Sequence, residues 1–299
     1  MTTEIIASER VVEQEVKKTS NTLRFFRVFL ARKTVVASLA IILIMIICAI
    51  FAPLIAPFDP YKQDYTQILA EPSLAHPLGT DLVGRDVLSR IIYGSQAALL
   101  VGIVSVAIAS VIGIILGLFS GYVGGLIDAI IMRAMDALMA IPPIILAVVF
   151  VAAFGGGLTN VIITLGLSLV PTYARLMRGQ VLAIRESDFI VAQELMGSTN
   201  LRNMIKHVLP NCISPLIVLI TLNFGVAILA EAGLSFLGLG IVPPKAAWGS
   251  MINDGYKYLL TNPILSFAPG MAVVLVVVAF NIVGDALRDA LDPRLKGTL

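Results

Sequence analysis

The chain has 299 residues, of which 58% are hydrophobic and only 13% charged, and its formal net charge is +2. A soluble domain averages about 45–50% apolar and about 25% charged residues, so this composition excludes a soluble globular fold and requires apolar surface to face lipid. The charge is too small to point to nucleic acid, and Cys48 and Cys212, in or beside apolar runs and without CxxC spacing, read as small buried hydrophobes rather than a disulfide framework.

Residues 1–33 form a polar tail ending in a basic cluster, Arg24, Arg27, Arg32 and Lys33, interleaved with Phe25, Phe26, Val28, Phe29 and Leu30. That pattern suits an amphipathic segment at the membrane surface or a basic flank that sets topology. The first apolar run starts near Val35 and is longer than the roughly 7–15 residues of a signal h-region, so it reads as a retained anchor. Six runs approach the roughly 20 residues that a bilayer core requires: Val35–Ala56, Ala97–Phe119, Ala137–Phe154, Asn160–Met177, Cys212–Ala230 and Pro269–Leu287. Pro142, Pro143 and Pro171 interrupt the third and fourth, where freed carbonyls must find other donors. The expected organisation is a tail (1–33), a first span with its extracytoplasmic segment (34–96), and a transmembrane domain (97–299).

With the N-terminus inside, the inside segments hold 16 Lys and Arg and the outside segments 5. This excess predicts both termini in the cytoplasm, with connections 57–96 and 231–268 outside. The spans are nearly free of charge, and Glu231 and Asp285 fall at span ends. Proton-coupled carriers and charged-ring channels place ionisable groups deeper, so the pattern suits a pathway energised from elsewhere.

Gly113, Gly117 and Gly121 recur every fourth residue in the second span and predict a close helix–helix contact. The inside segment 187–211, SDFIVAQELMGSTNLRNMIKHVLPN, predicts two short helices. Ser187 or Asp188 caps the first, and Gly197 ends it in a left-handed conformation. Ser198, Thr199 or Asn200 caps the second, with Leu201, Ile205 and Val208 on one face and Arg202 and Lys206 on another. Pro210 is expected to stop it before the fifth span.

The spacing of Ala192, Gly197 and Leu209-Pro210 resembles the EAA loop of ABC importer permeases. Five further segments resemble the second permease of dipeptide, oligopeptide and nickel importers: His76–Gly102, Gly121–Asp136, Tyr173–Phe189, Glu231–Ile252 and Phe280–Gly297. The resemblance implies an all-α, polytopic helical bundle of the type I importer permease kind, in the bacterial cytoplasmic membrane. It implies that the 187–211 loop holds a coupling helix that docks on an ATPase, through Ala192, Gly197, Ser198, Leu201, Arg202, Ile205, Lys206, Leu209 and Pro210. The acidic first position of that loop is absent, since the chain reads Val191-Ala192-Gln193. Implied partners are a homologous second permease, two cytoplasmic ATPase subunits that bind ATP and Mg, and an extracytoplasmic solute-binding protein. The solute would be a di- or oligopeptide or a relative of one.

Outside the membrane, Gly79, Thr80 and Asp81 read as a turn and cap, and Asp86 and Arg90 as a helical pair. His76 lacks ligand-spaced partners for a metal. Arg133 and Asp136 are spaced to pair, as are Arg288 and Asp292 ahead of Pro293. Glu231, Ser235, Gly238 and Trp248 mark an outer loop or gate, with Trp248 a candidate interfacial anchor. The chain has no GxxxxGK[ST], HExxH or GxSxG, so it is expected to hydrolyse nothing itself and to hold no cofactor. The competing class is a self-sufficient secondary transporter.

Overall fold

A computed structural model describes residues 29–30 and 32–291. Most of the tail, residues 1–28 with Arg24, Phe25, Phe26, Arg27 and Val28, lies outside those residues, as does Asp292, the predicted partner of Arg288. Every regular element among them is helical: α1 (Lys33–Ile55), α2 (Val87–Val123), α3 (Gly125–Met139), α4 (Pro143–Phe154), α5 (Leu158–Arg185), α6 (Asp188–Leu195), α7 (Asn200–Asn203), a π-helical turn (Met204–Val208), α8 (Leu209–Phe236), α9 (Trp248–Tyr256) and α10 (Ile264–Leu291). Five helical stretches are long and apolar enough to cross a bilayer, and α3 with α4 makes a sixth if that bent pair is one span.

The predicted third span is where sequence and structure differ most. A single helix over Ala137–Phe154 does not form. Instead α3 starts at Gly125 and ends at Met139, and α4 departs from it at 90°. Pro143 accounts for the break: the residue before a proline is driven out of the α region, and Pro142 sits at φ −53°, ψ 135°. Pro143 then opens α4 at a position where its missing N–H costs nothing.

The bundle is organised around the α2–α5 pair. Gly113, Gly117 and Gly121 of α2 face α5 so closely that a Cβ on Gly113 would lie 2.4 Å from Tyr173 Cβ. On Gly117 it would lie 2.3 Å from the Ala174 carbonyl oxygen, and on Gly121 2.8 Å from Val181 Cβ. α8 and α10 pack beside this pair, and α1 covers α2 and α10. Arg32 and Asp289 form an ion pair at 3.1 Å, so the start of α1 and the end of α10 meet at one face of the bundle. The same face carries α6, α7 and the π turn.

α2 begins ten residues before its predicted start because Asp86 caps it, its Oδ2 accepting from Ser89 N at 2.8 Å. The extra turns carry Arg90 and Ile91, whose contacts to Pro60 and Trp248 hold the opposite face together. Pro210 does not stop the helix before α8. It sits in the first turn of α8, directly after the π turn, and the helix runs on from Asn200 to Phe236.

Candidate coupling surface

The segment 187–211 is bolted to the bundle by a few buried side chains. Ile190 of α6, Met204 and Val208 of the π turn and Cys212 of α8 join Met177 and Val181 of α5 in one core cluster. Burying each apolar side chain of this size stabilises by about 1.5–3 kcal/mol, enough to hold a short helix that would not stand alone. The predicted face of Leu201, Ile205 and Val208 is divided. Val208 points into the core while Leu201 and Ile205 are exposed, because the π turn shifts the register between them.

α6 ends as the sequence predicts. Gly197 adopts φ +81°, its N–H donates to Glu194 O at 2.9 Å, and Ser198 N–H donates to Gln193 O at 3.0 Å. That pair of bonds is a Schellman motif. It leaves Leu195 84% and Met196 71% exposed, beside exposed Phe189 and Val191. With Leu201 and Ile205 these make an apolar surface outside the long helices, edged by the exposed charges of Arg202 and Lys206. Contiguous exposed apolar side chains of this kind mark an interaction surface. Ala192 is exposed within it, Leu209 is half-buried and Pro210 exposed at its edge, and Ser198 has a buried hydroxyl without a hydrogen-bond partner among the described residues. Leu195 and Met196 were not singled out from sequence; two large apolar residues directly before a helix-ending glycine are the signal that identifies them.

Behind this surface lies a charged brace. Arg178 of α5 makes a two-pronged ion pair with Asp128 of α3, Nε to Oδ1 and Nη2 to Oδ2 both at 2.6 Å, and Arg175 pairs with Asp136 at 2.7 Å. Asp136 therefore does not pair with Arg133, since its partner comes from a facing helix. The Tyr122 ring lies 5.9 Å from the Arg185 guanidinium.

The opposite face is a rigid polar clamp. His76 Nδ1 meets Asp86 Oδ1 at 2.8 Å and stacks on Phe58. Asp81 caps its own turn, accepting from Val83 N and Arg85 N, and pairs with Arg85 at 2.7 Å. Arg90 donates to Pro60 O at 3.1 Å and faces Asp81 at 3.5 Å. The expected Asp86–Arg90 pair is absent because Asp86 is committed to its cap and to His76. Trp248 is not an interfacial anchor: it is 3% exposed, and its Nε1–H donates to Ile91 O at 2.9 Å. Glu231 is buried in α8, accepting from Ser235 Oγ at 2.6 Å, and Ser235 Oγ accepts from Ile241 N at 3.1 Å. Gly238, at φ +76°, turns the chain out of α8.

Asp254 of α9 stands beside this clamp, and burial raises its pKa despite the opposing pull of Arg85 and Arg90. A carboxyl raised on folding binds more protons native than unfolded, so it lowers stability as pH rises through its folded value. Asp254→Asn is expected to stabilise the protein at neutral pH and leave it unchanged at a pH below the usual carboxylate range. Thermal midpoints of the detergent-solubilised protein across pH check this, and a destabilised variant at neutral pH would contradict it.

Residues 113–297 match the family of binding-protein-dependent transport system inner membrane components, and residues 20–72 match the N-terminal transmembrane domain of oligopeptide transport permease C. The chain belongs to that inner-membrane component family. The permease is 42% identical over 278 residues to the di/tripeptide transport system permease protein DppC of Pseudomonas aeruginosa, covering 91% of this chain and 92% of that one. It is 40% identical to the glutathione transport system permease protein GsiD of Pectobacterium atrosepticum (91% of each chain). It is 43% identical to the probable D,D-dipeptide transport system permease protein DdpC of Escherichia coli (88% of each). Among solved structures the fold is similar to a chain of the MetNI methionine ABC transporter in an inward-facing conformation, with a TM-score of 0.57 and 21% identity over 68% of this permease and 96% of that chain. The permease is thus a multi-span helical component of a transport system in the bacterial inner membrane.

Proposed function

We propose that this permease is one transmembrane half of an ATP-driven importer for di- or oligopeptides or a related small solute. The names of its relatives support the solute class. The observation that carries the coupling role is the exposed apolar surface of Phe189, Val191, Leu195, Met196, Leu201 and Ile205, held on short helices whose other side is locked into the core. A surface that projects large apolar groups on a rigid mount suits insertion into a groove on a partner. In this reading it faces the cytoplasm and docks on one of two ATPase subunits, which bind ATP and Mg. A homologous second permease completes the pathway between the two chains. An extracytoplasmic binding protein delivers the solute to the opposite face, where the Glu231–Ser235–Ile241 relay, Gly238 and Trp248 fix the outer loop. The permease itself supplies no nucleotide site; its part is to convert movement at the docked loop into rearrangement of its helices.

The test is purification of the complex from native membranes in mild detergent, with partners identified by mass spectrometry. Recovery of a second permease and P-loop ATPases is expected; recovery of the chain alone, active in liposomes without ATP, would overturn the reading. Leu195→Asp with Met196→Asp is expected to lower ATPase recovery and transport about tenfold or more, as loss of a central anchor does. Both side chains are exposed, so the thermal midpoint should stay unchanged.

A further inference from the structure

Between the docking surface and α8 the helix changes register. Leu209 N–H reaches Met204 O, five residues back, in the π turn Met204–Val208. A π turn holds one residue more than the α-helix needs, and moving that residue past a point rotates the upstream chain by about 100° and shifts it by about 1.5 Å. Pro210 leaves this ladder open, because it has no N–H for Ile205 O at the π spacing or for Lys206 O at the α spacing. The next carbonyl, His207 O, accepts from a side chain, Asn211 Nδ2 at 2.6 Å.

Asn203 sits at the upstream edge of the turn. It is fully buried, and among the described residues neither its Oδ1 nor its Nδ2 has a hydrogen-bond partner. Its neighbours Met204 and Val208 are seated in the core cluster with Ile190. An unpaired amide there opposes the packing around it, since an apolar side chain would fill the space without that cost. A register in which Asn203 leaves the core would relieve that cost, which narrows the free-energy gap between the two. A bistable element of this kind is what converts a small displacement into a discrete one.

We infer that Asn203 is the positioning residue of a two-register hinge formed with the π turn, through which movement of the docking segment reaches α8 as rotation. The inference rests on the docking role of residues 187–211. The test uses the assembled complex in nanodiscs, with hydrogen exchange read by mass spectrometry across residues 187–212, with and without ATP and vanadate, beside transport and ATP hydrolysis. Wild type should show nucleotide-dependent changes both in 187–201 and in 204–212. Asn203→Leu, which keeps the packing and removes the amide, should equal or exceed wild type in thermal midpoint and keep its protection change in 187–201. It should lose the change in 204–212 and transport about tenfold less solute per ATP; Asn203→Gln should restore much of both. If Asn203→Leu fails to assemble, Asn203→Ala carries the same expectations for exchange and transport, with a lowered midpoint from the cavity it leaves. An Asn203→Leu complex with wild-type transport and an intact change in 204–212 would overturn the hinge and leave docking standing. A wild-type complex with no nucleotide-dependent change in 187–201 would overturn docking, and the hinge with it.

Discussion

Gly117→Ala is expected to destabilise the permease by about 1–3 kcal/mol, the cost of forcing atoms into a filled core. The new methyl would lie 2.3 Å from the Ala174 carbonyl oxygen and 2.7 Å from Met177 Cβ, and 3.0 Å from Arg178 N. Two of these three are main-chain atoms, so relief requires α2 and α5 to separate rather than a rotamer to change. Elsewhere in a helix the same substitution gains about 0.5–1 kcal/mol. Gly179, on α5, supplies the comparison, because nothing lies within 4 Å of its added Cβ. Gly179→Ala should therefore be neutral or stabilising while Gly117→Ala lowers the midpoint. Denaturant titration in detergent micelles checks both, and equal effects at the two sites would show that α2 and α5 are not in close contact.

Gly197→Pro is expected to uncouple transport from ATP hydrolysis while membrane insertion continues. Proline holds φ near −65°, and the Schellman motif needs the +81° that Gly197 adopts together with the N–H it donates to Glu194. The last turn of α6 must then unwind, which displaces Leu195 and Met196 from the proposed docking surface. Gly197→Ala keeps the N–H and faces only the left-handed cost of about 1–2 kcal/mol, so it should lose less. Expression, complex recovery and transport per ATP hydrolysed report this series. Normal transport by Gly197→Pro would mean that the docking surface lies elsewhere.

Much of this architecture was readable in the sequence because lipid and backbone geometry impose local rules. Long apolar runs located five of the spans, and Gly197 could be read as a left-handed terminus without any tertiary knowledge. The glycine stripe on α2 was legible as a contact, although not that α5 was its partner. The failures share a cause, which is dependence on distant residues. Spacing rules see only pairs three or four residues apart, so they offered Arg133 to Asp136 and Arg90 to Asp86. In the fold, Asp136 takes Arg175, and Arg90 turns to Asp81 and Pro60. Pro210 read as a stop because a proline inside a helix normally breaks it; the π turn before it changes that context, and nothing local announces the turn. Trp248 looked interfacial by residue type, yet its partner, Ile91, is 157 residues away in the chain.

The right-angle break between α3 and α4 has a bearing on what surrounds the protein. α4 has 12 residues, a rise of about 18 Å against a hydrocarbon layer of about 30 Å. Its first residue, Pro143, lines one cavity with Ser168 and Leu169, near the middle of the spanning helix α5. Main-chain groups released from helical bonding at depth are not tolerated against acyl chains. The N–H groups of Ala140 and Ile141 and the carbonyl of Pro142 are hydrogen-bonded across the bend, so it is the carbonyls of Ala140 and Ile141 that are expected to look onto water or onto another protein. The annulus of lipid is expected to stop short of this flank of the bundle.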